Sequence, residues 1–183
     1  MNEKKQKTRV FFLGSGKLGI PSLAAILSSS EIDFVGAATQ DDKPSGRKLI
    51  LSPTPIAEWA LKNNLEIEKV RYINNPEFVR KIKNLQTDII FLASFGQILK
   101  NEILSSPLRE PVNLHASLLP KYRGASPIQS AILSGEKESG ISFMRMEKGL
   151  DTGPIFAKFA ASIDENDNAE MLENKLADLA AEH

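Results

Sequence analysis

An α/β fold is predicted: a Rossmann-like, mostly parallel sheet with helices on both faces. Three observations predict it. Short apolar runs alternate with segments of helical character along the chain, the pattern of βαβ units. Two of these runs, Val10-Phe11-Phe12-Leu13 and Ile89-Ile90-Phe91-Leu92-Ala93, are continuously apolar, as strands buried on both faces are. The first run passes directly through a glycine-rich turn into a helical segment.

The elements follow in order. Residues 1–8 form a flexible basic arm, and residues 9–183 form a single domain. Residues 10–13 are the first strand. Residues 21–28 are a helix, with Pro21 suited to its first turn. Residues 34–38 are the second strand. Residues 41–53 are polar and rich in Gly, Pro, Lys and Arg, hence a loop. Thr54 caps a helix over 55–63, and 76–84 is a further helix. Strands follow over 88–93 and 112–115, a helix over 126–133, and strands over 141–146 and 155–161. Residues 167–182 close the chain as a helix, with Leu172, Leu176 and Leu179 at helical spacing.

Composition narrows the function. Lys plus Arg and Asp plus Glu number 23 each, so the chain as a whole does not attract nucleic acid or anionic lipid, and contact with RNA needs a local basic patch. No cysteine is present, which removes disulfides, thiolate metal sites and cysteine nucleophiles. The apolar run after the basic N-terminus is too short for a signal peptide, and no stretch is long enough to span a bilayer. A soluble cytoplasmic protein is expected, with no membrane contact and no obligate protein partner.

Gly14-Ser15-Gly16-Lys17-Leu18-Gly19 matches G-x-G-x-x-G between a strand and a helix. Asp41 follows at about the distance where dinucleotide folds place a ribose-binding acid. Glycines there would let a phosphate reach the helix N-terminus. This supports one alternative, a nucleotide-binding module. The other use of such a turn is tight strand-to-helix packing. Pro21 early in the helix, and Thr39-Gln40 ahead of the acids, favour packing.

The residues that carry chemistry lie further on. Asn113 and His115 are two apart at the end of a short strand, so both side chains share one face. Ligands in open α/β sheets bind beyond such strand ends. His115 is the only histidine besides His183 at the chain end, so histidine acid–base chemistry would fall to it. Asp151 stands between glycines in Gly149-Leu150-Asp151-Thr152-Gly153, a loop able to present a carboxylate without bulk. A carboxylate near His115 would favour the imidazolium. With one internal histidine and no ligand cluster, no metal is expected.

Asn113-Leu114-His115-Ala116-Ser117-Leu118-Leu119-Pro120, then Tyr122-Arg123-Gly124-Ala125-Ser126-Pro127-Ile128-Gln129, resembles the signature of the 10-formyltetrahydrofolate-dependent formyltransferases. Gly149-Leu150-Asp151-Thr152-Gly153 resembles that family's second motif. Ser52-Pro53, Phe95-Gly96-Gln97-Ile98-Leu99 and the Gly-Ala-Ser-Pro-Ile-Gln run are similar to its methionyl-tRNA branch. The resemblance implies the formyltransferase fold and transfer of a formyl group from 10-formyltetrahydrofolate to the α-amino group of initiator methionyl-tRNA, for translation initiation. It implies that Asn113 donates to a tetrahedral oxyanion, that His115 assists it and moves protons, and that Asp151 orients His115. It also implies folate contacts from Ser117, Leu118, Leu119 and Pro120, and from Ile98 and Leu99. Arg47 and Lys48, in the loop after the second strand, would contact the tRNA. The family's further C-terminal tRNA-binding domain is absent from these 183 residues. The resemblance leaves another acceptor open, an amino-sugar nucleotide or a purine precursor, because such enzymes share Asn, His and Asp in this order.

Overall fold

The computed structural model describes residues 6–45 and 49–183. Along the chain run β1 (Thr8–Gly14), α1 (Gly19–Ser28), β2 (Ile32–Gln40), β3 (Lys43–Ser45), β4 (Ile50–Ser52) and α2 (Pro55–Lys62). Then come β5 (Glu68–Val70), α3 (Pro76–Asn84), β6 (Ile89–Ala93), α4 (Asn101–Leu104), β7 (Val112–His115), α5 (Pro127–Leu133), β8 (Glu138–Arg145), β9 (Ile155–Ser162) and α6 (Ala169–Glu182).

Seven strands form one sheet in the order β5-β2-β1-β6-β7-β8-β9. β5, β2, β1, β6 and β7 are parallel; β8 runs against β7, and β9 against β8. Alternation along β1 divides the core. Val10 and Phe12 join Leu23 and Ile26 of α1, Ile56 of α2, Ile128 of α5 and Leu172 and Leu176 of α6. Phe11 and Leu13 join Phe78 and Ile82 of α3 and Ile103 of α4 on the other face. Phe11, Phe12 and Leu13 are fully buried, each contributing roughly 1.5–3 kcal/mol relative to exposure. The expected α/β architecture with helices on both faces is therefore the one found.

Local chemistry sets the helix starts. Thr54 accepts from the amide of Ala57 at 3.1 Å, the cap expected for α2. Asn75 and Asn168 cap α3 and α6 in the same way, at 2.8 and 2.9 Å.

Several boundaries differ from the sequence-based expectation. The segment 41–53, expected as a loop, contains the β3–β4 hairpin, in which Leu49, Ile50 and Leu51 are exposed. Its polar residues and turn formers conceal two strands of only three residues. β5 is another three-residue strand with one buried apolar side chain, Val70, too little pattern to recognise. β2 extends beyond 34–38 because Ile32 and Asp33 pair with Thr8 and Arg9 of β1, and Thr39 and Gln40 pair with β5; Gly36, at φ +150, sits at a register shift opposite Phe11. A Cβ there would stand 2.9 Å from the Phe11 ring. β1 begins at Thr8, the last residue of the expected arm; residues 1–5 lie outside the described residues. No helix among the described residues is long and apolar enough to cross a membrane.

The glycine-rich turn 14–19 is filled by protein. The amides of Ser15 and Gly16 both donate to the carbonyl of Ser94, at 3.2 Å each, and the Ser15 hydroxyl donates to the carbonyl of Phe95. Those are the donors a phosphate would need. A Cβ on Gly16 would lie 2.8 Å from that of Ser94, and one on Gly19 would lie 3.0 Å from that of Ala93. The glycines let the turn pack on the end of β6. Gly16→Ala should accordingly destabilise the fold by about 1–3 kcal/mol, a drop of several degrees in Tm by calorimetry. An unchanged Tm would mean that the turn is not held by this contact.

Candidate active site

Because β6 and β7 are parallel and adjacent, their carboxyl ends at Ala93 and His115 open on one edge of the sheet. A cavity of about 700 Å³ lies there. Leu18, Leu92, Phe95, Leu99, Met144 and Met146 give it apolar walls, and Asn113, His115 and Asp151 bring polar groups to it.

Asn113 and His115 are 8% and 6% exposed. Asn113 sits beside Leu92 of β6 and opposite Met144 of β8, inside the sheet. Its side-chain amide has no hydrogen-bond partner among the described residues, although it lines the cavity. The amide is not sealed off from solvent, so it is available to a ligand in the cavity. His115 is held from both sides. Its Nε2 is 2.9 Å from the carbonyl of Tyr122, and its Nδ1 is 3.6 Å from Oδ2 of Asp151.

Asp151 reaches this place by an unusual path. Arg145 pairs with Val112 at the amino end of β7, so β8 finishes at the far edge of the sheet. Within six residues the chain climbs the length of β7 and brings Asp151 to His115. Asp151 is left-handed, at φ 50, and its Oδ2 accepts from the amide of Gly124 at 2.8 Å. A Cβ on Gly153 would stand 2.0 Å from the carbonyl oxygen of Arg145. Only glycine permits that close return.

The segment after β7 is a scaffold for this arrangement. Ser142, fully buried on β8 opposite His115, accepts from the amide of Leu119 at 3.0 Å and donates to the carbonyl of Ser117 at 2.7 Å. The Ser117 hydroxyl donates to the carbonyl of Lys121 at 2.6 Å. The Tyr122 hydroxyl donates to Glu136 at 2.8 Å, and Lys121 meets the same carboxylate oxygen at 3.1 Å. The Tyr122 hydroxyl, and then the Lys121 ammonium, hold the Glu136 carboxyl below its usual range. A depressed carboxyl stabilises the fold above its unfolded pKa, so this half-buried clamp is complete at neutral pH. It is lost as pH falls through the folded value.

The structure thus brings Asn113, His115, Asp151, Ile98 and Leu99 to one cavity, with Ile98 78% exposed at its mouth. It does not bring Ser117, Leu118, Leu119 or Pro120 to the wall of that cavity. The Ser117 hydroxyl is already bonded, and Leu119 is buried. Leu118 occupies the space left by Gly140, where a Cβ would lie 2.6 Å from it, and Pro120 is exposed. Arg47 and Lys48 lie outside the described residues. Leu18, inside the glycine-rich turn, also lines the cavity, as do Met144, Met146 and Glu173, which come from distant elements and which no motif marks. Among the described residues, no group of three His, Asp or Glu side chains is placed to hold a metal ion.

A mostly parallel sheet ending in Asn113 and His115, with an acid loop folded back upon them, defines a class. The formyl transferase family pattern matches residues 7–183, and the chain belongs to that family. Methionyl-tRNA formyltransferase of Caldanaerobacter subterraneus subsp. tengcongensis is 43% identical over 175 residues, 95% of this chain and 56% of the relative. The enzyme of the same name from Syntrophomonas wolfei is 42% identical over 174 residues, 95% of this chain and 55% of the relative. The chain therefore spans little more than half the length of these curated relatives. Among solved structures, phosphoribosylglycinamide formyltransferase from Bacillus halodurans superimposes with a TM-score of 0.76 at 27% identity, over 96% of this chain and 90% of that one. A sugar 3N-formyl transferase, solved in the presence of dTDP and 5-N-formyl-THF, gives a TM-score of 0.68 at 26% identity, over 97% of this chain and 60% of that one.

Gly153→Ala should disrupt the return loop and release Asp151 from Gly124. Hydrogen exchange at the Gly124 amide is expected to quicken and Tm to fall. Unchanged protection at Gly124 would show that something other than this loop places Asp151.

Proposed function

We propose that this chain transfers the formyl group of 10-formyltetrahydrofolate to the α-amino group of initiator methionyl-tRNA, with Asn113, His115 and Asp151 as its catalytic residues. One observation carries the proposal. The Asn113 side-chain amide has no hydrogen-bond partner among the described residues, is accessible rather than sealed in the core, and belongs to the residue that lines the same cavity as His115 and Asp151. The names of the curated relatives support the tRNA acceptor, and the folate present with the sugar enzyme supports the donor.

The folate, when bound, supplies the formyl group. The cavity suits a flat heterocycle, since Phe95, Leu99, Met144 and Met146 make its walls apolar and Ile98 extends them to the mouth. The Asn113 amide donates to the oxygen on which negative charge develops. Such a donor stabilises a transition state best when its direction is fixed in advance, and β7 fixes it. His115 takes the proton lost by the amine and would return it to the donor nitrogen released as the old formyl carbon–nitrogen bond breaks. Asp151 faces the ring and orients it during transfer. Arg47 and Lys48 contact acceptor-stem phosphates. Residues 9–183 form the catalytic unit. A cytoplasmic location follows from the same acceptor.

Purified chain is to be assayed with 10-formyltetrahydrofolate and three acceptors: initiator methionyl-tRNA, glycinamide ribonucleotide and an amino-sugar nucleotide. Formylation of the tRNA alone is expected. Asn113→Ala and His115→Ala should each lower the rate by roughly a hundredfold or more while calorimetry still detects folate binding. Faster formylation of either small acceptor would overturn the acceptor assignment. Full activity in both variants would remove these residues from the chemistry.

A further inference from the structure

We infer that Tyr122 is a positioning residue for His115: its backbone carbonyl fixes the imidazole as the Nε2–H tautomer and leaves Nδ1, facing Asp151, as the nitrogen that exchanges the proton. The inference deepens the proposed formyl transfer and rests on it.

A backbone carbonyl has lone pairs and no proton to give. The 2.9 Å contact between Nε2 and the Tyr122 oxygen is therefore a hydrogen bond only if Nε2 carries the hydrogen. The ring is 6% exposed, so water cannot easily replace that partner. In the neutral imidazole, Nδ1 is then bare. At 3.6 Å from Asp151 it lies beyond ordinary hydrogen-bond range, and both residues line the cavity. Protonation at Nδ1 makes an ion pair with Asp151, and deprotonation leaves a lone pair for an incoming amine. The Nε2 proton stays with the carbonyl throughout.

Aiming that carbonyl requires an uncommon backbone. Tyr122 is left-handed, at φ 54, a conformation that residues with a side chain seldom adopt. Two anchors hold it. The phenol hydroxyl donates to Glu136 at 2.8 Å, and the preceding carbonyl, of Lys121, accepts from Ser117 at 2.6 Å. Glu136 is itself tied to the end of α5 through its amide, which donates to the carbonyl of Ala131. Two residues after Tyr122, the Gly124 amide holds Asp151. One short segment thus sets the partner of each ring nitrogen.

The test is the ¹⁵N spectrum of the histidine rings. The chain has two histidines, so His183→Ala assigns both sets of signals. At a pH where the His115 ring is neutral, a protonated Nε2 and a bare Nδ1 are expected. Tyr122→Phe and Glu136→Ala should give a mixture of tautomers and slow formyl transfer roughly ten- to a hundredfold, mainly in kcat. Glu136→Gln keeps an acceptor oxygen for the phenol and should restore both. A neutral wild-type ring protonated at Nδ1 overturns the inference, as does a Tyr122→Phe variant with unaltered tautomer and kcat. The spectrum needs no substrate. The expected tautomer in a chain that formylates nothing would overturn the functional proposal instead.

Discussion

The bond from the Gly124 amide to the Asp151 carboxylate is the constraint on which the site depends. It joins two segments 27 residues apart in the chain, the scaffold after β7 and the return loop after β8. His115 lies between them, with one ring nitrogen toward each. The carboxylate is 11% exposed, and the bond, charge-assisted and largely shielded from water, is of the stronger kind. It also helps offset the strain of the left-handed Asp151.

That bond is possible because β7 has unlike neighbours. On the β6 side the pairing is parallel, which sets Asn113 and His115 at the carboxyl edge with the ends of β1 and β6. On the β8 side it is antiparallel, which places Ser142 directly beside His115. Ser142 then clips the segment 117–119 to the sheet. The change of strand direction explains how an α/β sheet of ordinary plan acquires a site enclosed on both flanks. The turn 14–19 closes a third side by packing on Ser94, and Leu18 from that turn enters the cavity wall.

Much of this was legible in the sequence, for identifiable reasons. Continuous apolar runs exposed the central strands, and caps such as Thr54 marked helix starts. Asn113 and His115 stand two apart on a short strand, and period-two geometry puts them on one face without further information. The contact between Asp151 and His115 depends on a loop that reverses across the sheet, which no local pattern reports. The role of Tyr122 is carried by its carbonyl, an atom every residue has, so no residue type announces it. Ser117, Leu118, Leu119 and Pro120 sit away from this cavity because their partners, Lys121, Ser142 and Gly140, are set by strand register. β3, β4 and β5 are too short to show a period.

The most direct test of the account is Asp151→Asn. The amide oxygen of asparagine can still accept from Gly124, so the two segments stay joined while the charge facing His115 is removed. Wild-type Tm and folate affinity are expected, with the rate of formyl transfer lowered roughly a hundredfold or more. A variant that keeps both its stability and its full rate would contradict the account, because the carboxylate would then serve only as a tether.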